Sequence, residues 1–268
     1  TRNPRNLSHT PGGSSSGSAA SVAAGFCDIA IGTQTSGSVI RPAGYCGVIG
    51  YKPSFGRISR DGVLLFSKSM DHVGIFAKDL HLLERTLPII VDSWSFSKPT
   101  VDQDICIGIP EGSYLNLSKP NVLKQYTNTV QRLEKSFFLK KVEPVTDILH
   151  YNRIIDEITF AELYNVHSDW YTKYKELYRP LSRQTIEAGK NIAPNNLALL
   201  LNKARKDQQS IQTIMIENGI DIWIAPVAPD VAPFGIDSTG DFRMNSIWSY
   251  TGLPVITIPT GVNEKNLP

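Results

Sequence analysis

Apolar positions recur along this chain at two spacings, and they divide it into four zones. Residues 1–60 are rich in Gly, Ser, Thr and Ala with few charges, and residues 61–117 alternate apolar runs with turns. Residues 118–219 hold half of the charged residues and long helical periods, and residues 220–268 return to short apolar runs broken by Pro and Gly. Residues 18–25 read as a short helix of small side chains, with Gly25 just past its end. A short buried strand is expected over 28–32, leading into a loop of small polar residues. Leu82, Leu83, Leu87 and Ile90 keep a helical period over 79–90. The unbroken apolar run 105–110, ended by Pro, predicts an interior strand. Ser118 is the expected N-cap of a helix with Pro120 in its first turn. Further helices are expected over 155–171 and 196–218, the latter stopped by Gly219. Residues 220–226 and 254–259 read as interior strands.

Short buried strands alternating with helices predict an α/β fold, a mixed β-sheet core covered by α-helices. The expected organisation is a core with the functional loops over 1–117, a helical insertion or cap over 118–219, and a return to the core sheet over 220–268. The sequence has 268 residues, 27 Lys+Arg against 25 Asp+Glu, and is 41% hydrophobic. That composition is globular, and its near-neutral balance predicts no nucleic-acid partner. No apolar run reaches the roughly 18 residues needed to cross a bilayer, so no membrane partner is expected. Three cysteines without metal-like spacing predict no metal site and a reduced, cytoplasmic setting. Both ends read as cut: the first residue is Thr, and 261–268 reads as a loop following a strand.

The densest chemistry lies in Gly12-Gly13-Ser14-Ser15-Ser16-Gly17-Ser18. Such a loop is either a flexible linker or a nest of N–H groups and hydroxyls suited to an anion. Residues 13–17 also fit Gly-x-Ser-x-Gly around Ser15, but a nucleophile elbow needs a strand before it, and 6–11 is no strand. No histidine among His9, His72, His81, His150 and His167 stands out as a partner. The second segment runs from Gly32 through Ser38 to Arg41-Pro42. Successive N–H groups of Thr35, Ser36, Gly37 and Ser38 could converge on one oxygen there; the plain alternative is a strand-to-helix turn.

Together with Gly50-Tyr51-Lys52-Pro53-Ser54-Phe55-Gly56 and Ser69-Met70-Asp71-His72-Val73-Gly74, these segments resemble the amidase signature hydrolases. The resemblance runs continuously over 2–80, and Gly252-Leu253-Pro254 fits the family's late strand. It implies a Ser–cis-Ser–Lys triad with Ser38 as nucleophile and Ser14, after a cis bond from Gly13, as the bridging serine. It implies an oxyanion hole at Thr35, Ser36 and Gly37, and no cofactor. A serine hydroxyl needs a base at neutral pH, and a lysine serves only if its pKa falls well below about 10.4. The resemblance places that lysine upstream of the first loop, yet no lysine precedes Ser14 here. The expectation is therefore a triad left incomplete in this chain. Lys52 falls at a Lys-Pro position that reads as structural.

Gln34 stands where the family usually has Asp, and Arg41 lies three residues after Ser38. This resembles stand-alone small-amide hydrolases of the malonamidase type. Arg41 is expected to bind an acidic group on a small amide substrate; the alternative is a structural arginine satisfying loop carbonyls. The expected reaction is hydrolysis of a non-peptide carboxylic amide to acid plus ammonia or amine through an acyl-enzyme on Ser38. A homodimer is compatible with this. Two other readings stand beside it: the A subunit of a glutamine-dependent amidotransferase, and a non-catalytic scaffold or partner-binding fragment. Asp71-His72 reads as a structural turn, and Tyr164, Trp170, Tyr171, Tyr174 and Tyr178 as packing.

Overall fold

Glycines set the architecture around the first loops. The computed structural model describes residues 1–95 and 105–268. The chain opens with α1 (Ser16–Ala23), β1 (Ile29–Gln34), α2 (Ile40–Cys46), β2 (Ile49–Lys52), β3 (His72–Ala77) and α3 (Leu80–Ile90). A four-stranded antiparallel sheet has the order β1-β3-β2-β7, with β7 (Val255–Thr257) arriving from the far end of the chain. Gly32 of β1 pairs with Gly74 of β3, and with Gly50 of β2 they open one face of the sheet. A Cβ on Gly74 would stand 3.0 Å from Val39, one on Gly32 2.7 Å from Ser15, and one on Gly50 would overlap Ala43. These glycines let α1 and α2 lie directly on the strands, where Ala19, Val22, Val39, Ala43, Cys46 and Phe76 are buried together. Strand alternation sends Val73, Ile75 and Ala77 to the opposite face, where they pack with Leu83 and Leu87 of α3.

The second sheet is parallel, in the order β5-β4-β6, from β4 (Cys106–Pro110), β5 (Phe138–Val142) and β6 (Ile222–Trp223). α4 (Pro120–Leu133) covers it, burying Tyr126 against Ile107 and Ile109. The remaining helices are α5 (Ile148–Tyr174), α6 (Pro180–Lys190), α7 (Pro194–Asn218) and α8 (Arg243–Tyr250). Ile155 and Ile158 of α5, Ile211 of α7 and Met244 and Ile247 of α8 form the largest core. A Cβ on Gly189 of α6 would overlap the Phe160 carbonyl of α5, so this glycine is what lets the two helices touch. Glu162 of α5 accepts hydrogen bonds from Ser67 Oγ, Ser69 N (3.0 Å) and Ser69 Oγ (2.9 Å), fastening the helical region to the loop before β3.

The fold is thus mixed α/β, as the alternation of elements predicts. Gly25 follows α1 at φ +74° and Gly219 ends α7 at φ +63°, both in the left-handed region that glycine favours. Several expectations are corrected. Among the described residues β1, β6 and β7 are edge strands of their sheets, and Ile31 is 51% exposed. A short apolar run has no periodicity that separates an edge from an interior position. Ser118 does not cap α4; Lys119 occupies that position, and Ser118 Oγ turns to the Met244 sulfur. α5 starts earlier than predicted because Asp147 caps it through the His150 amide. No helix among the described residues is long and apolar enough to cross a membrane.

Candidate active site

The first loop turns sharply before α1. Gly12 has φ +83°, and a Cβ there would stand 2.9 Å from Pro42. The Gly13–Ser14 peptide is cis. Ser16 closes the turn, its Oγ donating to Gly12 O (2.7 Å) and its amide to Ser14 O (2.8 Å). Ser14 is left exposed.

The second loop joins β1 to α2, with Ser38 half-buried just ahead of the helix. The Ser15 amide donates to Ser38 O (3.3 Å). Ser15 Oγ accepts from Thr33 N (3.2 Å) and donates to Thr33 O (3.1 Å), so its hydroxyl serves β1 rather than a histidine. Through these bonds the segments carrying Ser14 and Ser38, separate in sequence, meet in space.

Gln34 organises the second loop. Its Oε1 accepts the amides of Val39 (2.8 Å) and Ile40 (2.9 Å), satisfying the open start of α2 that no N-cap side chain serves. Thr35 Oγ1 donates to Asp71 Oδ1 (2.5 Å), while Asp71 Oδ2 accepts from Phe66 N (2.6 Å) and Ser67 N (3.0 Å). Gly37 O accepts from Arg41 N (3.0 Å). The amides of Ser36, Gly37 and Ser38 donate to no group among the described residues.

Arg41 is buried beside both loops, at 3% exposure. Its Nη2 donates to Gly13 O (2.7 Å) and Thr239 Oγ1 (3.1 Å), and its guanidinium lies 5.8 Å from the Phe242 ring centroid. Nε and Nη1 are buried without a partner among the described residues. Burial lowers the Arg41 pKa, opposed by the nearby Tyr45 and Asp241. Asp241 is itself held below the usual carboxylate range by Arg243, against the opposing pull of its own desolvation.

Lys52 points into the same face of the sheet and is fully buried. Its Nζ donates to Pro53 O (3.0 Å) and Leu253 O (2.6 Å), and burial pulls its pKa down to about 7. His72, across from Gln34 in the ladder, is pushed down to about 3 by burial and by Lys52, so it is neutral. Among the described residues no three His, Cys, Asp or Glu side chains gather to share a metal ion.

Sequence reasoning missed Thr239 and the full roles of Asp71 and Gln34 at these loops. Thr239 covers Gly13 from a distant loop, where a Cβ on Gly13 would stand 2.6 Å from its methyl group. Asp71 does form a turn with Phe66 and Ser67, but it also grips Thr35. The capping role of Gln34 was legible only in its position five residues before Val39, at the start of α2.

The sequence pattern of the Amidase family matches residues 1–268. The A chain of the Lachnospira eligens glutamyl-tRNA(Gln) amidotransferase is 29% identical over 311 residues, with 100% of this chain and 65% of that protein covered. Its counterpart in Prochlorococcus marinus is 46% identical over 120 residues, which cover 44% of this chain and 24% of that one. A crystal structure of an amidase superimposes with a TM-score of 0.84 at 25% identity. An inhibitor-bound vestigial protein complex tied to the origins of an s-triazine catabolic enzyme superimposes at 0.86 and 26%. In both structures all of this chain is covered, and it spans 63% of theirs.

Proposed function

As this chain belongs to the Amidase family, we propose that it carries the nucleophile half of an amidase site that hydrolyses a small carboxylic amide. In this reading Ser38 Oγ attacks the amide carbon. Its proton passes to Ser14 Oγ, which hands its own to a lysine base. The carbonyl oxygen becomes an oxyanion received by the amides of Thr35, Ser36, Gly37 and Ser38, each donor worth about 3–4 kcal/mol in comparable sites. The C–N bond breaks, the amine leaves with the relayed proton, and water releases the acid from Ser38 by the reverse relay.

The observation that carries the proposal is the joining of the two serine loops beside three amides with no partner among the described residues. Lys52 is not the base in this proposal, since its Nζ is turned to the Pro53 and Leu253 carbonyls and makes no hydrogen bond to Ser14 or Ser38. The base is assigned instead to a lysine upstream of Thr1. Arg41 fixes Gly13 through Nη2, and this reading assigns its Nε and Nη1, buried without a partner among the described residues, to a substrate carboxylate.

The test is release of ammonia from a panel of small amides. A protein extended upstream of Thr1 should be active and lose activity on Ser38→Ala or Ser14→Ala, while the 268-residue chain alone should be inactive. Equal activity of the short chain would remove the upstream base. The reading as an amidotransferase component is favoured by the glutamyl-tRNA(Gln) amidotransferase relatives at 29% and 27% identity. Co-purification of partner chains with glutaminase activity would select it.

A further inference from the structure

Helix α8 is buried along nearly its whole length. Its residues Asn245 and Ser249 are one turn apart and share a face, and that face meets the loop between β1 and α2. Ser249 Oγ accepts from Gln34 Nε2 (2.9 Å) and donates to Ser36 O (2.9 Å). Gln34 in turn accepts the amides of Val39 and Ile40. A closed circuit of hydrogen bonds therefore surrounds Gly37 and Ser38, entering at Gln34, crossing Ser249 to Ser36, and re-entering at Val39.

Peptide planarity gives this circuit a consequence. The Ser36 carbonyl and the Gly37 N–H belong to one planar trans unit and point in opposite directions. Holding Ser36 O against α8 therefore aims the Gly37 N–H away from α8. Asn245 supports the same loop: its Nδ2 donates to Val227 O (2.8 Å), which leaves Oδ1 facing Gly37. A Cβ on Gly37 would stand 2.6 Å from that Oδ1, which is buried and has no hydrogen-bond partner among the described residues. A glutamine at position 34 needs an acceptor for its amide group, and a carboxylate there would not donate. Ser249 supplies that acceptor and uses its own proton on Ser36.

Resting on the amidase reading, we infer that Ser249 is a positioning residue for the oxyanion amides and for Ser38. It acts through Ser36 and Gln34 and does not touch the substrate. The link itself is a property of the fold and is measurable without turnover.

The experiment compares wild type, Ser249→Ala and Ser249→Thr by two readouts. In the 268-residue chain, hydrogen exchange at the Val39 and Ile40 amides should quicken at least about ten-fold in Ser249→Ala and be restored by threonine. In the protein extended upstream of Thr1, kcat should fall between about ten-fold and a hundred-fold with KM within about two-fold, again restored by threonine. Wild-type exchange rates in Ser249→Ala would overturn the link. A matched loss across global stability, kcat and KM would overturn the positioning role in favour of packing. If no form hydrolyses an amide, the amidase reading fails by itself, and the exchange readout still decides the link.

Discussion

Lys52 is an amine buried under the site, and removing it should change how stability responds to pH. In the folded chain its ammonium titrates near 7, against 10.5 as its ordinary value. Between these values the unfolded chain binds one proton more than the folded one. Stability therefore rises with pH across this window, by at most about 1.4 kcal/mol per pH unit. The charge penalty is largest below pH 7 and gone above about 10.5. From about pH 7.5 to about 9.5 the Lys52 contribution amounts to a gain of about 2.5 kcal/mol. The Cys46 thiol opposes it, because burial raises its pKa from 9.0 to about 12, so the folded state loses relative stability above pH 9. Comparing wild type with Lys52→Met at both pH values cancels Cys46 and isolates the lysine. Urea unfolding at about pH 7.5 and about pH 9.5 should show wild type gaining on the variant by about 2.5 kcal/mol. Parallel pH profiles would refute the argument, and would mean that Lys52 keeps its proton in the fold.

Three further outcomes follow from close contacts and from Arg41. Gly189→Ala places a methyl group into the Phe160 carbonyl and should cost about 3 kcal/mol in urea unfolding; a change within about 0.5 kcal/mol would contradict the α5–α6 contact. Gly37→Ala brings a Cβ to 2.6 Å from the buried Asn245 Oδ1 and should lower kcat at least about a hundred-fold while costing about 1–3 kcal/mol of stability; near-wild-type turnover would count against the role of the loop. Arg41→Lys should raise KM at least about ten-fold for carboxylated amides and much less for neutral ones; equal changes would leave Arg41 only its hold on Gly13.

What the sequence revealed, and what it hid, has a physical basis. α3 and α7 were legible because each has one apolar and one polar face, and Gly219 marks the stop of α7. α8 was not, since Met244, Asn245, Ser246, Ile247, Trp248, Ser249 and Tyr250 are all buried and a helix buried all round has no period to read. β5 was missed because Phe138-Leu-Lys-Lys-Val142 has no strict alternation. The two serine loops stood out because their glycines and hydroxyls are local in sequence. Their supports did not, because Thr239 and Ser249 arrive some two hundred residues later. Arg41 illustrates the limit: the sequence left it either an anchor for substrate or a structural arginine on loop carbonyls, and only the folded chain identifies Gly13 O as the carbonyl it holds.

The central claim, that Ser38 is a nucleophile activated through Ser14, is tested most directly by a fluorophosphonate probe followed by peptide mapping. In the protein extended upstream of Thr1, the probe should attach to Ser38, attach to nothing in Ser38→Ala, and react far more slowly in Ser14→Ala. Attachment at Ser15 or another serine, or labelling of Ser14→Ala at the wild-type rate, would contradict the account.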